Sequence, residues 1–492
     1  MAETENLKKK TISGVAWNFA GNTANRIVQF VISIVLARLL TPSDYGLLGL
    51  IAIFMAIAST FIDSGFTSAL IQYKDRTEKD LNTVFYVNLG MSTFMYIILF
   101  FIAPLIADFY TQPLLIPVIR WYSIILILGA LTGVNSTLLT IRLDYKTSTR
   151  ISVISAISSG IIGIIFAYLG YGVWALVIQS ISGSAIRTVI SFYWVRWFPK
   201  RMFSSQSFKR MFGYGSKLLI ANLIHAIYDN IYGLVIGKKF NASSLGYFTR
   251  AQGFINLTAQ NVTGILSGVA FPVLSKVQDD DEKLLRIYDR YVQMSSFIIF
   301  PLVLFLCGIS KPLILFLLTD KWTPSIPLLQ ILCFNSIWLG LISINLNLLY
   351  VKGRTDLVLK LEIFKKSTAF LILFISVFFN SLTALCWGLV LYGVIALYLN
   401  SFYTKRLLNF GLLDQLKQVK SYFIAATVIL IEAFSFSELI ENPLLSLMVS
   451  TIICISSYLY ICKRLKLYAY GEVMNIVMPK IQALPFLNKK KF

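Results

Sequence analysis

A single histidine, His225, stands in a chain of 492 residues, and its five cysteines (Cys307, Cys333, Cys386, Cys454 and Cys462) are scattered singly through apolar stretches. One imidazole excludes a multi-histidine metal site, and no cysteine pair has metal-ligand or redox spacing, so the cysteines read as packing residues. Acidic side chains are scarce too, with 23 Asp and Glu against 44 Lys and Arg and a net charge of +21. No phosphate-binding loop of the G-x-x-x-x-G-K type occurs, so no cofactor is expected. Also missing is any polar stretch long enough for a sizeable soluble domain or a folded external catalytic domain.

What fills the chain instead is apolar: 57% hydrophobic residues, 14% aromatics and a mean hydropathy of +0.73, beyond the roughly half-apolar content of soluble domains. Apolar segments of about 20 residues, the length that crosses a bilayer, recur throughout. The first is too long for a signal-peptide core and has no cleavage site after it, so it reads as a retained span. Punctuation by Gly, Pro and charge sets fourteen spans near residues 12–37, 46–71, 82–107, 116–140, 150–169, 172–194, 212–236, 245–275, 291–317, 325–350, 360–379, 384–403, 420–436 and 443–462. The expectation is an all-α polytopic membrane protein.

Basic residues divide sharply between alternate loops. With both termini on one side, that side holds 33 of the 44 Lys and Arg, and the other only Arg38, Arg120, Lys238, Lys239, Lys311 and Lys321. The positive-inside rule then places both termini in the cytoplasm. Topology accounts for most of the charge and leaves little reason to invoke nucleic acid. Lys217, Lys360, Glu362, Lys365 and Lys366 lie near span ends and are expected to snorkel to the interface. Arg142 and Arg150 border a cytoplasmic entrance, where they either meet an anionic headgroup or serve as topology signals.

A shift of 200 positions lays "IVLARLLTPSDYGLL" (34–48) on "LVIGKKFNASSLGYF" (234–248), aligning Arg38 with Lys238, Ser43 with Ser243 and Gly46 with Gly246. "PLIADFYTQPLLIPVIRWYS" (104–123) likewise resembles "PLILFLLTDKWTPSIPLLQILCF" (312–334). Two parallel six-span halves follow, as in transporters with alternating access. The expected division is an N-terminal lobe at 1–197, a linker at 198–211, a C-terminal lobe at 212–405, and spans thirteen and fourteen with a basic tail at 406–492. The linker, within "RWFPKRMFSSQSFKRMFGYGS", spaces Phe, Met and basic residues helically and reads as an interfacial helix rather than a basic loop.

Polar groups inside spans are the candidate site. Asn18, Asn22, Asn25 and Gln29 fall on one face of the first span, flanked by Arg26. Under the 200-residue shift Asn22 meets Asn222, Asn25 meets His225 and Gln29 meets Asp229. Span eight adds Arg250, Gln252, Asn256, Gln260 and Thr263. Such stripes either line a watery cavity or glue helices together. In a cavity the amides would bind hydroxyls, donating and accepting, and Arg26 and Arg250 would hold a phosphate. Asp63, Asp229 and His225 would take up a proton or cation during transport; for Asp63, bracing of the next turn is the alternative.

"SGVAWNFAGNTANRIVQFVISIVLARLLTPSDYGLLGLIAIF", "FIDSGFTSALIQ", "SLGYFTRAQGFINL" and "FPVLSKVQ" resemble polysaccharide flippases of the Wzx type, in the multidrug/oligosaccharidyl-lipid/polysaccharide exporter superfamily. The resemblance covers nearly the whole chain, most clearly spans one to nine. It implies two six-helix lobes in a V-shaped arrangement plus two C-terminal helices, and a substrate-binding role for Arg250. It also implies movement of an undecaprenyl-pyrophosphate-linked oligosaccharide from the cytoplasmic to the outer leaflet of the bacterial inner membrane, without covalent chemistry. Partners on this reading are that lipid-linked oligosaccharide, membrane lipids, a polysaccharide polymerase and glycosyltransferases, with H+ or Na+ as a coupling ion. Related lipid II flippases concentrate basic residues where this chain has amides, which argues against lipid II as cargo. The competing readings are a cation-coupled drug or toxin antiporter of the same superfamily, and a membrane-embedded glycosyltransferase or ligase.

Overall fold

The structure, a computed structural model, describes residues 2–63 and 65–482, without the side chains at 2–16, 18–20, 22, 214, 217, 218 and 476–482. Among the described residues every regular element is helical. The chain divides into two compact units, Met1–Gly246 and Tyr247–Phe492.

The first unit holds α1 (Ala2–Leu39), α2 (Pro42–Asp63), α3 (Phe66–Gln72), α4 (Glu78–Tyr110), α5 (Leu115–Tyr122), α6 (Ile124–Ile141), α7 (Tyr145–Tyr168), α8 (Val173–Val195) and α9 (Ser205–Lys239). The boundary falls inside α10 (Ala242–Ile255). In the second unit a π-helical turn (Asn256–Gln260) leads into α11 (Asn261–Ser275), followed by α12 (Asp281–Gly308), α13 (Ser310–Leu318), α14 (Ser325–Ser336) and α15 (Leu339–Val351). The chain closes with α16 (Thr355–Phe378), α17 (Leu382–Leu408), α18 (Leu412–Leu439), α19 (Pro443–Arg464) and α20 (Tyr468–Gln482).

Twelve helical stretches among the described residues are long and apolar enough to cross a membrane, and each coincides with one of the fourteen expected spans. The two others fall on α1, where many side chains are not described, and on α16, whose first half carries Asp356, Lys360, Glu362, Lys365 and Lys366. Lys365 does not snorkel: it is buried, with its Nζ 2.6 Å from Glu362 Oε1. Lys217 lies outside the described side chains.

In the first unit α7 packs along both α1 and α8, α6 bridges α4 and α8, and α9 lies along α2. This division follows packing, whereas the expected boundary at 197–212 follows the duplication. The expected linker helix is helical only in part: residues 196–204 form no helix, and α9 begins at Ser205 and runs on without a break. Pro199 disfavours helix in the residue before it. Side chains of α4 also capture the linker's backbone, since Lys200 N–H donates to Asn82 Oδ1 and Ser204 N–H to Thr83 Oγ1 at 3.0 Å. Arg210 completes the clasp, 3.1 Å from Asp75 and 3.0 Å from the buried Asp80.

In the second unit α18 packs along α12 and against α19. A buried polar network fastens it there: Asn345 Oδ1 on α15 accepts from Tyr288 of α12 (2.9 Å), from Gln415 of α18 (3.0 Å) and from Thr404 of α17. The thirteenth crossing is therefore wedged among three other helices rather than appended to them.

Candidate functional site

Two adjoining cavities open inside the first unit. The larger, about 510 Å³, lies among α1, α6, α7 and α8, and its polar lining comprises Gln29, Ser33, Tyr45, Ser152, Ser155, Ser159, Gln179, Ser180, Ser184 and Arg187. The smaller, about 280 Å³, is lined by Ser59, Asp63, Thr67, Asn88 and apolar residues of α6, and shares Gly129 and Ser184 with the larger. Small residues let these helices close in around the space: a Cβ on Gly160 would fall 2.2 Å from Ile32 Cδ1, and one on Gly183 3.0 Å from Ser159 Oγ.

Several of these polar atoms lack protein partners. Ser155 Oγ and Asn88 Oδ1 are buried without a hydrogen bond, on residues 3% and 4% exposed. Buried polar groups are rarely left unsatisfied unless water or a ligand completes them. Asp63 stands where α2 ends; the chain turns through Gly65 at φ +72° before α3 starts. A Cβ at Gly65 would lie 2.6 Å from Gly215 Cα, so only glycine supports both that conformation and that approach.

The sequence-predicted residues separate into groups. Gln29 and Asp63 line the two cavities. Asn25 is half-buried with its Oδ1 enclosed, and Arg26 is exposed. Asn18 and Asn22 have side chains outside the described ones. On α9, Asn222 is exposed, and His225 Nδ1 stands 2.7 Å from Asp229 Oδ2 one turn on, so a predicted binding residue and a predicted coupling residue form one pair.

In the second unit the Arg250 guanidinium covers the Trp322 ring at 5.1 Å, a cation–π contact that holds it in place. Gln252 donates to Asn256 Oδ1 at 3.2 Å, while Asn256 and Gln260 mark the two ends of the π-helical turn and are exposed. Such turns in α-helices concentrate at functional sites.

Arg187, Gln179 and the serines of α7 were not singled out from sequence. Their signal was present as helical spacing: Ser152, Ser155 and Ser159 recur at three and four residues, and Gln179, Gly183 and Arg187 at four. Serine reads as neutral on hydropathy grounds, so the stripe does not stand out from an apolar span.

Residues 35–327 match the family described as "Polysaccharide biosynthesis protein". The teichuronic acid biosynthesis protein TuaB of Bacillus subtilis is 24% identical over 441 residues, covering 89% of this chain and 91% of that one. The lipopolysaccharide biosynthesis protein WzxC of Escherichia coli is 26% identical, covering 73% of each chain. Among solved structures, the lipid II flippase MurJ in an inward closed conformation has the same fold, with a TM-score of 0.72 at 16% identity, over 93% of this chain and 99% of that one. An all-helical chain whose spans enclose polar space, and whose sequence matches over that extent, belongs to the polysaccharide biosynthesis protein family of polytopic membrane transporters.

Proposed function

We propose that this chain is a flippase that moves an undecaprenyl-pyrophosphate-linked oligosaccharide repeat unit from the cytoplasmic to the outer leaflet of the bacterial inner membrane. The observation that carries this reading is the polar space built into membrane-crossing helices: amides, serines and one arginine line a cavity of about 510 Å³ in which no nucleophile–base pair is assembled. Amides and hydroxyls both donate and accept, the chemistry that binds sugars. Arg250 and Arg26 supply positive charge for pyrophosphate. Both termini face the cytoplasm on this reading, where glycosyltransferases deliver the cargo; a polymerase receives it outside.

The oligosaccharide binds while the polar lining faces the cytoplasm, the polyprenyl tail stays in hydrocarbon, and a change of conformation re-exposes the lining outside. With the membrane negative inside, export of each negative charge gains about 2.3 kcal/mol per 100 mV. The empty carrier then returns. Asp63 with Asn88 Oδ1, Thr67 and Ser59 presents the oxygen donors that Na+ or a proton would need for that step. A drug antiporter would be served better by an aromatic, carboxylate-rich lining than by amides and serines.

The test is rescue of surface polysaccharide in a host lacking its own flippase. Asn22→Ala, Asn222→Ala and Arg250→Ala should each lower export severalfold at equal protein level. Undiminished export in all three would reject the assigned residues, and failure of the unaltered chain with every candidate cargo would reject the activity.

A further inference from the structure

Arg187 is the one charged residue lining the larger cavity. It lies fourteen residues after Val173, the first residue of α8, and eight before Val195, the last, so about 21 Å and 12 Å of helix separate it from the two ends. An arginine at that depth is costly and marks a function unless a carboxylate or backbone pairs with it. No acidic side chain is among the described residues lining this cavity, and none of the described ion pairs involves Arg187. A counter-charge must come from what enters.

We propose that this cavity is a subsite for the carboxylate of an acidic sugar, with Arg187 reading the carboxylate, so that the exported repeat unit contains a uronic-acid-type residue. The proposal deepens the flippase reading and rests on it. A guanidinium fork matches a planar carboxylate through two parallel hydrogen bonds. Around it, Gln29, Gln179 and the serines of α7 and α8 offer donors and acceptors suited to ring hydroxyls. Ser155 sharpens the case, because its hydroxyl is 97% withdrawn from solvent and has no partner in the protein.

Size and charge count decide between a sugar acid and the carrier's pyrophosphate. A cavity of about 510 Å³ is in the range of small-molecule sites, about 300 to 1,000 Å³, which suits a short stretch of glycan. One cation balances one carboxylate. Pyrophosphate carries more charge and would call on Arg26 or Arg250, neither of which lines this space. Asp63 in the adjoining cavity repels an anion from that end, so the acidic group is directed toward Arg187 and the neutral part of the ring toward Gly129 and Ser184, where the cavities meet.

The test uses the full chain in lipid nanodiscs and calorimetric binding of a hyaluronan tetrasaccharide, its carboxyl-reduced counterpart and inorganic pyrophosphate. The unaltered protein should prefer the acidic over the reduced tetrasaccharide by about tenfold, the size of one charge-assisted hydrogen-bonded pair. Arg187→Gln should abolish the preference, and Arg187→Lys should keep part of it. Equal binding of both tetrasaccharides to the unaltered protein overturns the proposal whatever the variants do. Pyrophosphate binding that depends on Arg187, with no effect of carboxyl reduction, assigns the arginine to the carrier and overturns it too. Export is scored separately: an Arg187-dependent preference in a chain that exports nothing rejects the flippase reading and keeps the subsite, whereas export without the preference rejects the subsite alone.

Discussion

Gly46 and Gly246, equivalent under the 200-residue repeat, lie reciprocally against each other's helix starts: a Cβ on Gly46 would fall 1.7 Å from Ala242 O, and one on Gly246 would fall 1.9 Å from Pro42 O. Pro42 and Ala242 are themselves equivalent under the same shift. Each glycine follows a helix N-terminus with its own cap: Thr41 and Asp44 exchange hydrogen bonds at the start of α2, and Asn241 Oδ1 accepts from Ser244 N–H at 2.8 Å at the start of α10. The small-xxx-small spacing on both sides brings the two backbones together, so the duplication seen in sequence reappears as a contact with matched partners.

Gly46→Ala and Gly246→Ala should each cost about 1 to 3 kcal/mol or more, because a methyl group would have to displace rigid backbone carbonyl rather than a side chain. The measurement is the thermal midpoint of the detergent-purified protein. The double variant should lose less than the sum of the two, since one displacement relieves both clashes. Strict additivity would show that the two contacts are independent.

The Asn345 network makes a separate prediction. Gln415→Leu leaves buried amide and carbonyl groups of Asn345 short of partners, at a cost of about 1 to 3 kcal/mol. Tyr288→Phe removes one donor among three and should cost less. If the network holds α18 to α12, Gln415→Leu should also raise amide hydrogen exchange in α18 more than in α14. Uniform exchange changes would assign Gln415 no special part in docking that helix.

The linker clasp is testable at Asp80. Arg210→Ala leaves the buried Asp80 carboxylate without its cation, while the Thr77 hydroxyl and backbone still donate to it. Because Arg210 is about one-third exposed, the loss should be about 1 kcal/mol rather than the larger cost of a fully buried pair. Protease nicking within 196–204 should rise in Arg210→Ala and in Thr83→Val; unchanged nicking in both would mean that Asn82 alone holds the linker.

The helical stretches were legible in sequence because a bilayer imposes one length and one polarity, and a retained duplication shows as an alignment. The linker was not, because its conformation is set by Asn82 and Thr83, more than a hundred residues away. Arg187 escaped notice for a similar reason: its meaning depends on the mutual register of α1, α7 and α8, which no single segment encodes. Lys365 looked like a snorkelling residue because sequence gives distance from a span end but not the direction in which a side chain leaves its helix.

The π-helical turn at Asn256–Gln260 sets the screw phase of everything that follows it. Beyond it, Ser267 shares a hydrogen bond with Ser343, and its carbonyl accepts from Asn347 at 3.3 Å. Deleting one residue within the turn, Leu257 for instance, would wind the segment back to ordinary pitch and rotate α11 by about 100°, swinging Ser267 away from α15. Such a deletion should therefore disable the protein more than Leu257→Ala does, although it removes only one residue more from the same spot.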